Sequence, residues 1–435
     1  MSKARTIKVD MLTRVEGEGA MYVRFSGGKV AEVKLKIFEP PRLFEAFLRG
    51  RHFREVPDIV ARICGICPVA YQMSAVHAIE AILGVHVHPS VRALRRLLYC
   101  GEWIESHALH VYLLHAPDFL GYPDAITMAR HHGPAVKAGL ALKKTGNQLV
   151  TALGGREIHP VGARVGGFHR MPPKKELNQL LPGLREARDL AVGMVELVRT
   201  LEFPPFERDY EFVALRHPAE YPMNEGRIVS SQGIDIAVEQ YDEQFLEKHM
   251  GHSNALHSQI RGRGSYLVGP LARFNLNFDR LPAHVQQLAR ESGVEPPCRN
   301  PFKSIIVRAI ETLVAVEQAI EIVEQYAPPA EDPMRLGVQE PAPRAGVGHA
   351  CTEAPRGILY HRYELDAKGL VVSARIVPPT AQNQKEMEAD LRGVAEQSAE
   401  MNDERLRLVC EQSIRNYDPC ISCATHFLKV ERQQS

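Results

Sequence analysis

Two Cys-x-x-Cys pairs, one near each end of the chain, constrain the fold more than any other feature. The first is Arg62-Ile63-Cys64-Gly65-Ile66-Cys67-Pro68. The second is Asp418-Pro419-Cys420-Ile421-Ser422-Cys423, followed by Ala424-Thr425-His426. Four thiolates gathered from segments this far apart make a soft site, which selects zinc, copper(I), nickel or iron–sulfur chemistry over hard cations. Structural zinc sites usually draw their cysteine pairs from closely spaced segments. Here nearly the whole chain intervenes, so the fold must be complete before the site exists. Cys100, Cys298, Cys351 and Cys410 stand singly among apolar or ordinary residues and read as buried free thiols. Scattered cysteines without a dense framework point to a reduced, intracellular protein.

A chain of 435 residues that is 45% hydrophobic can bury a large core. The formal charge of +1 argues against a nucleic-acid binder or an electrostatic membrane adsorber. No run approaches the roughly 18 apolar residues needed to span a bilayer. Met1-Ser2-Lys3-Ala4-Arg5 leads straight into a strand-like segment, so no signal peptide is expected.

Residues 6–38 alternate apolar and polar around Gly27-Gly28, the pattern of an antiparallel hairpin. Helical periodicity begins around the first cysteine pair and continues through Met73, Val76, Ile79 and Ile82. A second helix is predicted over Val91–Leu114, stopped by Pro117 and Gly121-Tyr122-Pro123. Further helices are predicted over Leu177–Leu201, Phe302–Tyr326 and Asn383–Arg415, with a mixed region at 205–300. Ala327-Pro328-Pro329 through Pro343 reads as a connector, and Asp366-Ala367-Lys368-Gly369 as a turn between two strands. The expected fold is α+β and predominantly helical, a long-helix bundle with small peripheral antiparallel sheets. It forms one unit, residues 1–426, with an N-terminal hairpin (6–38), a helical core (54–326) and a C-terminal strand and helix segment (344–426).

The cysteine motifs resemble those of the large, catalytic subunit of nickel–iron hydrogenases. Arg14-Val15-Glu16-Gly17, Pro41-Arg42-Leu43-Phe44-Glu45, Gly154-Gly155-Arg156 with His159-Pro160, and Glu353-Ala354-Pro355-Arg356-Gly357 extend the likeness. The short length and Pro378-Pro379-Thr380 are most similar to the cytoplasmic, soluble branch linked to NAD(P). The resemblance implies that fold, with nickel held by Cys64, Cys67, Cys420 and Cys423. Cys67 and Cys423 would also bind an iron carrying carbon monoxide and cyanide. A structural zinc site is the alternative.

By the same resemblance, Glu16 is the first proton acceptor beside Cys420, and Arg356 sets a permanent donor over the open metal position. A solvated Glu16 and a salt-bridged Arg356 are the plain alternatives. Pro378, Pro379 and Thr380 would surround the diatomic ligands, and Asp118 and Asp418 would orient Arg356 or those ligands. Glu45, His426 and the Arg375 carbonyl are expected to hold magnesium or a similar cation, unless Glu45 pairs with Arg42 or Arg49. His107, His110 and His115 read as core histidines, and His159 would face the partner's nearest cluster. Two positions depart from many relatives: Tyr71 stands for a histidine and Pro379 for a serine.

The implied function is reversible heterolytic cleavage of dihydrogen to protons and electrons. No dinucleotide fingerprint and no cluster-type cysteine run occur, so electrons must leave through another polypeptide. The resemblance makes that an iron–sulfur small subunit, then flavin and NAD(P) diaphorase subunits. It also implies nickel-insertion proteins and a maturation endopeptidase that removes residues 427–435, the alternative being a short tail retained as a surface strand. Two other readings are a hydrogen sensor signalling through a partner, and a zinc scaffold related to the quinone-site subunit of respiratory complex I.

Overall fold

The computed structural model describes residues 5–41, 43–328 and 341–426. Strands β1 (Arg5–Val9), β2 (Gly19–Ser26) and β3 (Lys29–Ile37) form one antiparallel sheet in that order. Gly27 and Gly28 both take positive φ, 60° and 79°, as a two-residue hairpin turn with a right-handed twist requires. Met21, Val23 and Phe25 alternate inward along β2. The expected hairpin therefore gains a third strand, β1.

Helix α1 (Pro68–Leu83) starts one residue after Cys67, with Pro68 in the first turn, where its missing N–H costs nothing. The Glu102 carboxylate accepts from the amides of Val69 and Ala70 at 2.6 and 3.2 Å, so a second helix supplies the cap. Nearly every side chain of α1 is buried, which marks it as the central helix of the core.

Helix α2 (Pro89–Leu109) runs into a π-helical segment, His110–His115, and then a short turn, Ala116–Phe119. Pro117 is thus not the expected stop; it sits in the first turn of the continuing helix. Helix α3 (Gly133–Gly154) was not anticipated; its four glycines lower intrinsic helix propensity. Here the missing side chain is the point: a Cβ at Gly146 would come within 2.6 Å of the Gly101 carbonyl oxygen. The glycines let α2 and α3 approach to backbone contact.

Helices α4 (Leu181–Val198) and α5 (Ser304–Gln325) complete the bundle. Between them β4 (Phe245–Met250) and β5 (Ser253–Ile260) form an antiparallel hairpin with an irregular register between Ser253 and His257. A C-terminal antiparallel sheet, β6 (Gly346–Ala354), β7 (Gly357–Leu365) and β8 (Val371–Val377), packs on α1. The predicted turn at Asp366–Gly369 joins β7 to β8. Asn383–Arg415 is not one helix. It divides into α6 (Pro379–Gln397) and α7 (Asp403–Arg415), and the Asn402 side chain caps α7 by accepting from the Arg405 amide at 2.9 Å. The fold is α+β and mainly helical, with small antiparallel sheets at its margins. The connector expected at 327–343 lies largely outside the described residues, as do Arg42 and residues 427–435.

Candidate metal centre

Each cysteine pair sits where regular structure stops. Cys64 ends the helical turn Ala61–Ile63, and Cys67 caps α1. Cys420 caps a short turn, Ile421–Ala424, that contains Cys423, and the chain reaches it from α7 through Asp418, whose φ is 52°. The four sulfurs lie within 4.8 Å of one another. Cys64 Sγ is 3.4 Å from Cys420 Sγ, which is 2.7 Å from Cys423 Sγ. Around one ion with metal–sulfur bonds of about 2.3 Å, neighbouring sulfurs lie about 3.3–3.8 Å apart, so the cluster has the size of a coordination shell. The amides of Ile66 and Cys67 donate to Cys64 Sγ at 3.3 and 3.4 Å. Hydrogen bonds from Cys420 and its neighbours hold Cys64 well below the ordinary thiol range, whereas burial pushes Cys420 and Cys423 well above it. A bound cation is what lets several thiolates share so dry a site. Donor type, number and spacing all fit a soft metal.

Glu16 meets the second pair backbone to backbone. Its amide donates to the Pro419 carbonyl at 3.3 Å, and its carbonyl accepts from the Ile421 amide at 2.9 Å. Gly17 permits this approach: at φ 86°, a Cβ there would stand 2.8 Å from the Ser422 nitrogen. The Cys420 thiol donates to Glu16 Oε2 at 3.1 Å, and the Ser422 amide donates to the same oxygen at 3.1 Å. The Ser422 hydroxyl holds Oε1. Glu18 is exposed.

Arg356 is buried, 2% exposed. Its Nε donates to the Asp418 carbonyl at 2.6 Å, Nη2 lies 3.0 Å from Asp418 Oδ2, and Nη1 has no hydrogen-bond partner. Asp418 and the cysteine thiolates hold its pKa above the usual range despite the burial, so it stays a cation. Asp118 does not reach it. That carboxylate pairs with Arg14 and Arg415 instead of Arg356. Pro378 and Pro379 open α6, and the Thr380 hydroxyl oxygen accepts from the Cys420 amide at 3.0 Å. Tyr71 is buried with its hydroxyl unpartnered; burial first, and then the charges of Cys423 and Cys67, push its pKa up.

Beside the cluster a cavity of about 50 Å³ is lined by Glu45, Glu247, Ile376, Ser422 and His426, among others. His426 Nε2 lies 3.0 Å from Glu45 Oε2, while Glu45 Oε1 accepts from the Ile376 amide at 2.8 Å. Arg375 turns its side chain to Asp242 and Glu247. Glu247, which the sequence did not single out, is buried enough to raise its pKa.

The nickel-dependent hydrogenase family matches residues 42–137 and 261–426. The chain belongs to that family. It is 35% identical to the sulfhydrogenase 2 subunit alpha of Pyrococcus furiosus over 98% of this chain and 100% of that one. It is 28% identical to the NAD-reducing hydrogenase HoxS subunit beta of Cupriavidus necator, over 98% and 95% of the two chains. Its fold matches the crystal structure of an NAD+-reducing [NiFe]-hydrogenase in the H2-reduced state with TM-score 0.87 and 28% identity, covering 97% of this chain and 99% of that one. The protein is the large, catalytic subunit of a nickel–iron hydrogenase, and its four-cysteine cluster is able to bind metal.

In this hydrogenase subunit His107, within α2, and His110, just after it, each hold a partner elsewhere in the core, whereas His115 is buried with neither ring nitrogen hydrogen-bonded. His107 Nε2 is 3.0 Å from Glu311, and burial lowers its pKa to about 4. His110 donates to the Arg415 carbonyl at 2.8 Å. His159 contacts the Ala61 carbonyl at 2.7 Å, just before the first cysteine pair. A second residue that motif reading missed, besides Glu247, is Arg273. It is wholly buried between Glu311 at 2.9 Å and Glu353 at 2.7 Å, over the face of Trp103. Its guanidinium donates to the carbonyls of Ala354 at 2.7 Å and Pro355 at 2.9 Å, and so positions the loop that carries Arg356. An arginine in an ordinary amphipathic stretch carries no local signal of such a role.

Proposed function

We propose that the four thiolates hold nickel, with Cys64 and Cys420 on nickel alone and Cys67 and Cys423 shared with an iron carrying carbon monoxide and cyanide. When bound, that pair of metals supplies the heterolytic cleavage of dihydrogen. The chain's own contribution is to move the proton and fix the surrounding charge. Cys420 Sγ, wedged between Cys64, Cys423 and Glu16, is the observation that carries this reading. A proton on Cys420 Sγ passes to Glu16 Oε2 over 3.1 Å with no intervening water. The Ser422 amide and hydroxyl hold the carboxylate in place for that transfer. Arg356, clamped by Asp418, keeps its Nη1 as a fixed donor in a dry site, where such a donor acts strongly.

Glu45, His426 and the Arg375 carbonyl hold magnesium or a similar divalent cation. Neighbouring ligands of an octahedral ion with bonds of about 2.1 Å stand about 3.0 Å apart, and Glu45 Oε2 and His426 Nε2 are 3.0 Å apart. Electrons leave to an iron–sulfur small subunit and onward to a flavin and NAD(P) module. The relatives named as NAD-reducing support that route. The assembly is cytoplasmic. Among the described residues no helix is long and apolar enough to cross a membrane. Nickel-insertion proteins and an endopeptidase acting after His426 mature the subunit.

Replacing Cys64, Cys67, Cys420 or Cys423 with Ser tests the ligand set, because a hydroxyl cannot match a thiolate's softness. Each variant is expected to lose nickel by elemental analysis. A full nickel complement in any one of them contradicts the assignment.

A further inference from the structure

We propose that His252, His257 and Glu388 form a second metal site, apart from the four-cysteine centre, that takes one divalent transition ion of the zinc class. His252 lies in the turn between β4 and β5, His257 in β5 and Glu388 on α6. The register irregularity between Ser253 and His257 accompanies the convergence of the two imidazoles on the helix. One ligand atom from each residue lies within 4.8 Å of the other two. The imidazole rings stand nearly perpendicular, with centroids 5.8 Å apart.

Two features separate this trio from an incidental surface ion pair. His257 is 1% exposed, and its Nε2 has no hydrogen-bond partner. A buried imidazole nitrogen without a partner is costly, and a ligand on that nitrogen removes the cost. Burial also lowers the His257 pKa to about 4, so its ring is an unprotonated donor at neutral pH. Glu388, in turn, is fixed before any ion arrives: Oε1 accepts from the Leu35 amide at 2.9 Å and lies 2.6 Å from His252 Nε2.

Two imidazoles and a carboxylate are a zinc-type donor set that leaves one position open. Ligand atoms on a tetrahedral ion with bonds of about 2.0–2.1 Å stand about 3.3 Å apart, so small side-chain rotations close the trio around it. Side-chain exposures of 17% for His252 and 16% for Glu388 leave an approach from solvent. The opposing charge is Lys385, one turn earlier on α6. Its amine stands about 4 Å from where a Cβ on Gly264 would lie, in the neighbouring turn. The ion would tie the β4–β5 hairpin to α6 and, through Leu35, to the N-terminal sheet. Asn254, between the two histidines, accepts from the His426 amide at 2.8 Å and donates to the Glu39 carbonyl at 3.1 Å. The site therefore staples the edge on which the C-terminal segment docks.

The probe is zinc ion, titrated against a chromophoric chelator into nickel-loaded holoenzyme, whose cysteines are already engaged. One further equivalent is expected to bind. The His252→Gln/Glu388→Gln double variant is expected to bind it about 100-fold or more weakly with nickel content unchanged. The single variant His252→Gln, on the turn, answers the same question if the double variant does not fold. X-ray absorption at the zinc edge of the wild type is expected to show nitrogen and oxygen neighbours only. No extra equivalent, equal affinity in wild type and variant, or sulfur in the zinc shell would each overturn the site.

Discussion

Cys420 and Glu16 are joined twice: by a thiol–carboxylate hydrogen bond of 3.1 Å and by a parallel backbone bridge. Two residues from opposite ends of the chain are thereby locked at one geometry. A proton released at the sulfur has an acceptor whose carboxylate is held in place by the Ser422 amide and hydroxyl.

Glu16→Gln keeps the shape and the contact with Ser422 but loses the titratable proton. Nickel content is expected to be unchanged, while hydrogen–deuterium exchange with solvent vanishes. Para/ortho hydrogen conversion, which needs cleavage alone, persists. Normal deuterium exchange in this variant would move the relay to another group.

Arg356→Lys retains a charge but loses the planar fork that spans both the carbonyl and carboxylate of Asp418. Turnover is expected to fall by roughly 100-fold or more, with metal content nearly unchanged. Full turnover in a metal-replete variant would reduce Arg356 to a structural ion pair.

Glu105 predicts a pH dependence of stability. It is buried beside α3, and that burial raises its pKa to about 8 against an ordinary 4.5. The folded state therefore holds a proton that the unfolded chain releases. Its contribution is complete below pH about 4.5 and is lost as pH rises through about 8. Glu105→Gln, which cannot ionise, is expected to flatten the fall in Tm across that window and leave the variant relatively more stable at alkaline pH. Thermal unfolding of both proteins from pH 5 to 9, tracked by circular dichroism, reads this directly. Parallel curves would exclude Glu105 as the source.

The parts of the site that were legible share a cause. Cys64, Cys67, Cys420 and Cys423 sit in short motifs whose residue types are dictated by soft-metal chemistry, whereas the blocks around Glu16 and Arg356 are weak alone and were read through the resemblance those cysteines carry. Arg273 and Glu247 escaped because their roles come from long-range packing, which leaves no mark on neighbouring residues. Asp118 was expected near Arg356 or the diatomic ligands on the resemblance alone, and in the structure Arg14 and Arg415 engage both of its carboxylate oxygens. Helix α3 went unseen because Gly139 and Gly146 lower helix propensity locally, while the contact that rewards them lies on α2. The break between α6 and α7 was hidden because residues 398–402, Ser-Ala-Glu-Met-Asn, contain no glycine or proline to mark it.

The central claim is that four thiolates at the junction of both chain ends hold nickel and a diatomic-bearing iron. Infrared spectroscopy of protein purified from its native host tests it most directly, in the window between ordinary protein bands where metal-bound carbon monoxide and cyanide absorb. One carbonyl band and cyanide bands are expected, and they should disappear in Cys423→Ser. A native, nickel-containing protein with no absorption in that window would contradict the assignment.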